Sequence, residues 1–210
     1  MIENRGISMR IDESGIVFDF DKNLTVDKFD DTGYYQNYFK KLTGGKGVDF
    51  ILKSEDTLML IEVKNCAGHE TDNRWRLSPD NSKRATTATV VDTEDRDSLD
   101  IEIPKKIAMT LACLCGAHSQ PQLQKHSDVL KEYFKFIKSN NISSGENKIK
   151  VILFLEGNFS TRSMSQKSIF TRLSDKIKKK LSWLNCHVIV ENIETHQNNY
   201  YTASMGADNK

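Results

Sequence analysis

The segment GVDFILKSEDTLMLIEVKN, residues 47–65, constrains the fold of this chain more than any other stretch. Two strand-length apolar runs hinged by the polar SEDT read as a β-hairpin. Successive side chains of a strand point to opposite faces, so Leu58 and Leu60 share one side while Met59, Ile61 and Val63 share the other. Three charged residues interrupt the pattern: Asp49 at the start of the first run, and Glu62 and Lys64 at the end of the second. Glu62 and Lys64 lie two apart, on the side of Leu58 and Leu60. Antiparallel pairing through SEDT brings Asp49 close to Glu62.

The other elements arrange themselves around this hairpin. Residues 7–20 carry two β-rich runs about DESG, an N-terminal β-hairpin. The segment TVDKFDDTGYYQNYFKKL spaces Tyr35, Tyr38, Phe39 and Leu42 as on a helix, with Thr25 or Asp27 as its cap and TGGKG as its stop. Residues 66–99 are polar and show no helical stripe; a short hairpin at TTATVVDT, or partial mobility, is expected there. IPKKIAMTLACLCGAHS is a helix, apolar nearly all round, with Pro104 in its first turn. An amphipathic helix from about Ser127, the strand KIKVILFLEG, a second amphipathic helix and the strand HVIVENI complete the order. This order predicts an α/β fold, a mixed β-sheet flanked by helices. Residues 1–195 form one domain, with its core at 26–119 and later elements at 127–193, and residues 196–210 are expected to be a flexible tail.

Composition narrows the function classes. With 210 residues the chain can bury a sizeable core without staples. A net charge of +1 gives no global basic signal, so any case for nucleic acid rests on local charge. No apolar run reaches the roughly 18 residues that span a bilayer, and no export signal is visible, so the expectation is a cytoplasmic protein away from membranes. Cys66, Cys113, Cys115 and Cys186 lack metal or scaffold spacing and read as reduced thiols.

Two adjacent carboxylates repel, and apolar flanks make their ionisation more costly. A hard divalent cation between them, Mg²⁺ or Mn²⁺, makes the arrangement favourable. A lysine two residues on then holds a water or neutralises charge growing on a phosphate, which suits phosphodiester hydrolysis. The bland alternative is a Glu62–Lys64 salt bridge beside a strand-start aspartate.

With these residues in place, the segment resembles the active-site core of the PD-(D/E)xK nuclease superfamily, the restriction-endonuclease-like fold. In that family a helix precedes a hairpin bearing an aspartate and then a glutamate-x-lysine, and a helix and a strand come after it. GVDFIL matches the aspartate strand and LIEVK the second strand, while Val48 stands in place of the proline of the name. The resemblance implies catalysis by Asp49, Glu62 and Lys64, with Mg²⁺ or Mn²⁺ held by Asp49, Glu62 and the Val63 carbonyl. Many members add an acid on the preceding helix; Asp27, Asp30 and Asp31 are the candidates, and Asp31 shares the helical face of Tyr35 and Tyr38. The implied function is a metal-dependent DNA endonuclease of restriction, phage defence or repair. Many members cut as homodimers. The alternatives are a silent nucleic-acid- or partner-binding module, and a ribonuclease or toxin of the same fold.

Local charge marks where nucleic acid would lie. In NRWRL, Arg74 and Arg76 can pair with phosphates while Trp75 stacks on a base. Lys83 and Arg84 lie in the same polar loop, which is expected to add little to the core. Lys105 and Lys106 open the apolar helix, and one of the two would point into the site. The helix at residues 165–181 carries six basic residues against one acidic, which a solvated surface also explains.

Overall fold

The structure is a computed structural model that describes residues 9–87, 96–138 and 148–206. In chain order, strands β1 (Met9–Glu13), β2 (Ile16–Phe20) and β3 (Thr25–Lys28) precede a short helix α1 (Gly33–Asn37), and β4 (Phe50–Lys53) and β5 (Thr57–Asn65) come next. Helices α2 (Glu70–Asn73), α3 (Arg84–Thr87), α4 (Leu99–Ser119) and α5 (Gln124–Lys138) lead to β6 (Lys148–Glu156). Helix α6 (Gln166–Lys180) and strands β7 (Cys186–Glu191) and β8 (Tyr201–Met205) complete the described elements.

A mixed five-stranded sheet, in the order β3-β4-β5-β6-β7, is the centre of the molecule. The pairs β3–β4 and β4–β5 are antiparallel, whereas β6 joins β5 and β7 joins β6 in parallel. Alternation along the strands sorts the apolar side chains into two cores. Ile51, Leu58, Leu60, Val151 and Leu153 pack under helices α4, α5 and α6. Phe50, Leu52, Met59, Ile61 and Phe154 face a three-stranded antiparallel sheet, β1-β2-β8, through Phe18, Phe20 and Tyr201. There the Phe18 ring meets Phe50, Phe154 and Tyr201 edge-on at 5.4, 5.0 and 5.5 Å. The result is an α/β layering of sheet, sheet and helices, with the mixed central sheet and the N-terminal hairpin that the sequence implies.

The β1–β2 turn needs only Ser14 and Gly15, both at positive φ (55° and 76°), as a two-residue hairpin requires.

Four stretches differ from the sequence reading. Residues 25–28 are not a helix start but strand β3, because the outer edge of β4 has backbone groups that need partners. Asp27, expected as a cap, instead accepts a 2.6 Å hydrogen bond from the Tyr133 hydroxyl of α5. Beyond β3 the chain forms a 3-10 turn at Phe29–Asp31, the five-residue α1 and a second 3-10 turn at Phe39–Lys41, not one continuous helix. Residues 66–87, read as loop, hold α2, α3 and two 3-10 turns, and they close over α4. Most of the hairpin expected at TTATVVDT lies outside the described residues; its first two residues end α3.

Helix α4 starts at Leu99, which places Pro104 in its second turn. It is also one-sided. Ile103, Ile107, Leu114 and Ala117 are buried, while Lys105, Ala108, Ala112 and Cys115 are exposed. Its apolar look all round comes from small residues on the solvent side. Finally, the expected tail contains β8, which pairs with β2 over Tyr201–Met205. Tyr201 is 2% exposed and donates its hydroxyl hydrogen bond to Glu191, so this segment belongs to the core. No helix among the described residues is long and apolar enough to cross a membrane.

Candidate active site

The chain enters β4 under close control. Gly47 has no room for a side chain, since a Cβ there would run into the Phe29 ring. The Val48 N–H donates to Thr110 Oγ1 of α4 at 3.0 Å. Asp49 then gives its N–H to the Ile61 carbonyl (3.0 Å) and takes the Phe29 N–H on its own carbonyl (2.8 Å). Its side chain turns to β5, where Oδ2 accepts the Val63 N–H at 2.7 Å. Asp49 therefore lies against residues 61–63, with Glu62 between its two contacts on β5.

Glu62 is 1% exposed and takes two ammonium groups on one oxygen. Lys64 Nζ lies 2.6 Å from Oε1, and Lys106 Nζ of α4 lies 2.5 Å from the same atom. Lys106 also stands 3.9 Å from Asp49 Oδ1, so one helix residue spans both carboxylates. Lys64 is held from its other side by Glu102 of α4 at 3.0 Å, and Glu102 is in turn gripped by Arg76. The second oxygen of Glu62, Oε2, is buried with no hydrogen-bond partner among the described residues.

The electrostatics reflect this packing. Burial first, and the neighbouring Glu62 second, push the Asp49 carboxyl up to about 7, against the pull of Lys106. Burial would lower the Lys64 ammonium, but Glu62 and Glu102 outweigh it and raise Lys64 above the ordinary lysine range. Burial would raise Glu102, yet Lys64 and Arg76 hold it below the usual carboxylate range. At neutral pH Lys64 is thus a fixed cation and Glu102 a fixed anion.

Above these groups opens a cleft of about 790 Å³. Lys46, Lys64, Arg76, Arg96, Lys105 and Lys106 line it, against Asp97 and Glu102. A larger hollow of about 880 Å³ lies beside α6 and β7, but its buried acid, Glu191, is already taken up by Asn198 and Tyr201. Asp49 and Glu62 do not themselves line the first cleft; they lie behind Val63, Lys64 and Lys106, which line it and contact them.

The structure brings together Asp49, Glu62, Val63, Lys64 and Lys106, and it settles the choice on α4. Lys106 points to the carboxylates, whereas Lys105 is 66% exposed at the rim and pairs with Asp97 at 2.7 Å. Asp31 does not join them: it sits exposed in a 3-10 turn, and the helical face that was to carry it is absent. The NRWRL reading is overturned in part. Trp75 is 3% exposed and presents no ring for stacking, and Arg76 is buried against Glu102 and the Asp97 carbonyl. An apolar ring followed by a paired arginine packs this loop onto α4. Arg74 remains at the surface, with Nη1 on the Phe159 carbonyl at 2.9 Å. Lys83 is exposed, and Arg84 lies 3.8 Å from Asp97.

Glu102 escaped the sequence reading, although its signal was present. It stands four residues before Lys106, the spacing that puts two side chains on one helical face.

Fold and site together define a mixed α/β protein with a buried, lysine-flanked carboxylate pair under a basic cleft. The chain belongs to a family of unknown function (DUF6661), which matches residues 32–203 and so includes every residue of this cluster. No curated protein and no solved structure matches the chain.

Proposed function

We propose that the protein is a metal-dependent nuclease, hydrolysing phosphodiester bonds of nucleic acid, DNA foremost, in the cleft above Asp49 and Glu62. One observation carries the reading. A fully buried glutamate keeps one oxygen unpartnered among the described residues, beside a second carboxyl that burial has pushed to about 7. Burying such oxygens without a partner is costly, and a divalent cation would relieve both groups at once. The order of elements also supports it: an aspartate at the head of β4, a glutamate-x-lysine on β5, a helix bearing polar groups towards them, then the parallel strand β6. This is the arrangement that the resemblance to the PD-(D/E)xK nucleases implies, with 3-10 turns and the short α1 in place of a long preceding helix.

The donor set fits a hard cation in a lean form. Among the described residues no group of three or more His, Cys, Asp or Glu side chains is placed to hold a metal. Asp49 and Glu62 would supply the two carboxylates and Val63 a backbone carbonyl, with water for the remainder, as Mg²⁺ commonly retains several waters. When bound, the cation supplies Lewis-acid stabilisation of phosphoryl charge and a more acidic water.

The residues of the chain do the rest. Lys64, clamped between Glu62 and Glu102, presents a permanent positive charge where negative charge develops. Lys106 compensates both carboxylates from the helix side. Lys46, Arg96 and Lys105 at the rim suit the phosphates of a bound strand.

A second reading has its own observation. Because two lysines already neutralise Oε1 of Glu62, the same cluster also suits a silent phosphate-binding module. A melting experiment with Mn²⁺ separates the two. A cation that binds only the native state raises its melting temperature; the nuclease reading expects that rise in the wild type and its loss in Glu62→Gln and Asp49→Asn. A rise that survives in both variants places the cation elsewhere and removes the reading.

A further inference from the structure

The basic face of α6 has no part in the cleft, yet it lines a separate groove of about 450 Å³. Arg172 and Lys176 form one wall, and Arg74 and Lys83 stand across from them on the 74–83 loop. Leu77, Ile169 and Leu173 contribute apolar lining. The one acid among the described lining residues, Asp100, is 1% exposed and already engaged by Ser98 Oγ at 2.6 Å, by the Asp80 N–H and by Lys180 at 3.4 Å. Asp80, the acid beside it, is held by Lys180 as well. The described lining of the groove thus carries four cationic residues and one acid, and that acid, Asp100, is already engaged.

The groove and the cleft share a wall. Arg74 lines the first and Arg76 the second, two residues apart on one 3-10 turn, with the buried Trp75 between them. A 3-10 helix advances about 2 Å per residue, so the residues that line the two openings follow closely on one another along that turn.

From this juxtaposition we infer that the groove is a second strand-binding track, in which a single phosphodiester strand leaving the cleft continues over the 74–77 turn and lies along α6. The inference rests on the nuclease reading of the cleft and extends it. Phosphates would meet Arg74, Lys83, Arg172 and Lys176, and the sugars would lie against Leu77 and Leu173. No described residue lining the groove presents an aromatic face or a base-reading pattern, so the track would be indifferent to sequence.

The test compares the wild type with Arg172→Ala/Lys176→Ala, two exposed positions away from the cleft. Binding of labelled single-stranded DNA is measured in EDTA, to prevent cutting, with one oligonucleotide just long enough for the cleft and one three times as long. The long strand should bind the variant several-fold more weakly, and the slope of log K against log salt should flatten by roughly 1.4, about 0.7 for each lost contact. The short strand should bind both proteins alike. Equal binding of the long strand by both proteins would overturn the track while leaving the cleft reading intact. Absence of binding by the wild type at either length would overturn both. Loss limited to competition by polyglutamate, with strand binding unchanged, would make the groove a site for acidic polypeptide and would also overturn the inference.

Discussion

The ammonium of Lys106 lies 2.5 Å from Oε1 of Glu62, so that α4 and β5, through residues 44 apart in the chain, meet at one buried oxygen. Lys64 reaches the same oxygen at 2.6 Å. The two lysines are therefore redundant partners of a single carboxylate.

That redundancy makes a stability prediction. Lys64→Met and Lys106→Met should each cost about 1–3 kcal/mol, because each leaves Glu62 with one cation. The double variant strands a buried charge, whose removal of partners typically costs about 3–5 kcal/mol or more, so it should lose more than the two single losses added together. Denaturant unfolding of all four proteins completes the cycle. Strict additivity would mean that the lysines do not share Glu62.

Asp49 makes a prediction about pH. Its carboxyl is raised from 3.8 to about 7 by burial and by Glu62. Between these values the folded protein holds a proton that the unfolded chain has released, so this group's contribution is complete below about pH 4 and is lost as pH rises through about 7. Asp49→Asn should remove that component: the stability of the wild type relative to the variant should fall across this window and level off above it. Cation affinity should move the other way, rising with pH up to about 7, since the cation needs the ionised carboxylate. Isothermal titration with Mn²⁺ at several pH values measures this, and a flat profile would separate Asp49 from the cation.

Arg74 and Arg76, two residues apart, should behave oppositely. Arg76 is 4% exposed and grips Glu102, so Arg76→Ala should cost about 3 kcal/mol or more. Arg74 lies at the surface, hydrogen-bonded to a backbone carbonyl, so Arg74→Ala should cost about 1 kcal/mol. Equal losses in a thermal or denaturant melt would contradict the burial difference.

The C-terminal strand gives a fourth test. Tyr201 seals the core between the two sheets, so Tyr201→Ala should cost about 3–5 kcal/mol, as deletion of a large buried ring does. A chain ending after Asn198 should unfold at a markedly lower temperature. Unchanged melting of either protein would return residues 201–205 to the status of a tail.

These outcomes also show which parts were legible. Asp49, Glu62 and Lys64 could be read because they interrupt strands whose period is two, and a period assigns faces without any tertiary knowledge. The choice between Lys105 and Lys106 needed the phase of α4, which its apolar and small residues concealed. Val26 and Asp27 read as the start of a helix, because the aromatic spacing that follows them outweighs a four-residue strand whose reason is the edge of β4. Trp75 and Arg76 looked like contacts for nucleic acid because a buried, paired arginine and an exposed one have the same local sequence. Tyr201 carried too short an apolar pattern to mark a strand, and its partners lie on β2 and β7, far back along the chain for the first of these.

The central claim is that Asp49, Glu62 and Lys64 form the site of phosphodiester hydrolysis, and cleavage addresses it most directly. Labelled DNA and RNA, single- and double-stranded, should be incubated with Mg²⁺ or Mn²⁺ and with wild-type protein, Glu62→Gln or Lys64→Met. Folded protein should be confirmed for each by its melting curve. The account predicts metal-dependent cutting by the wild type, abolished by EDTA and reduced by orders of magnitude in both variants while each remains folded. No cutting of any substrate by folded wild type, or equal cutting by wild type and variants, would contradict it.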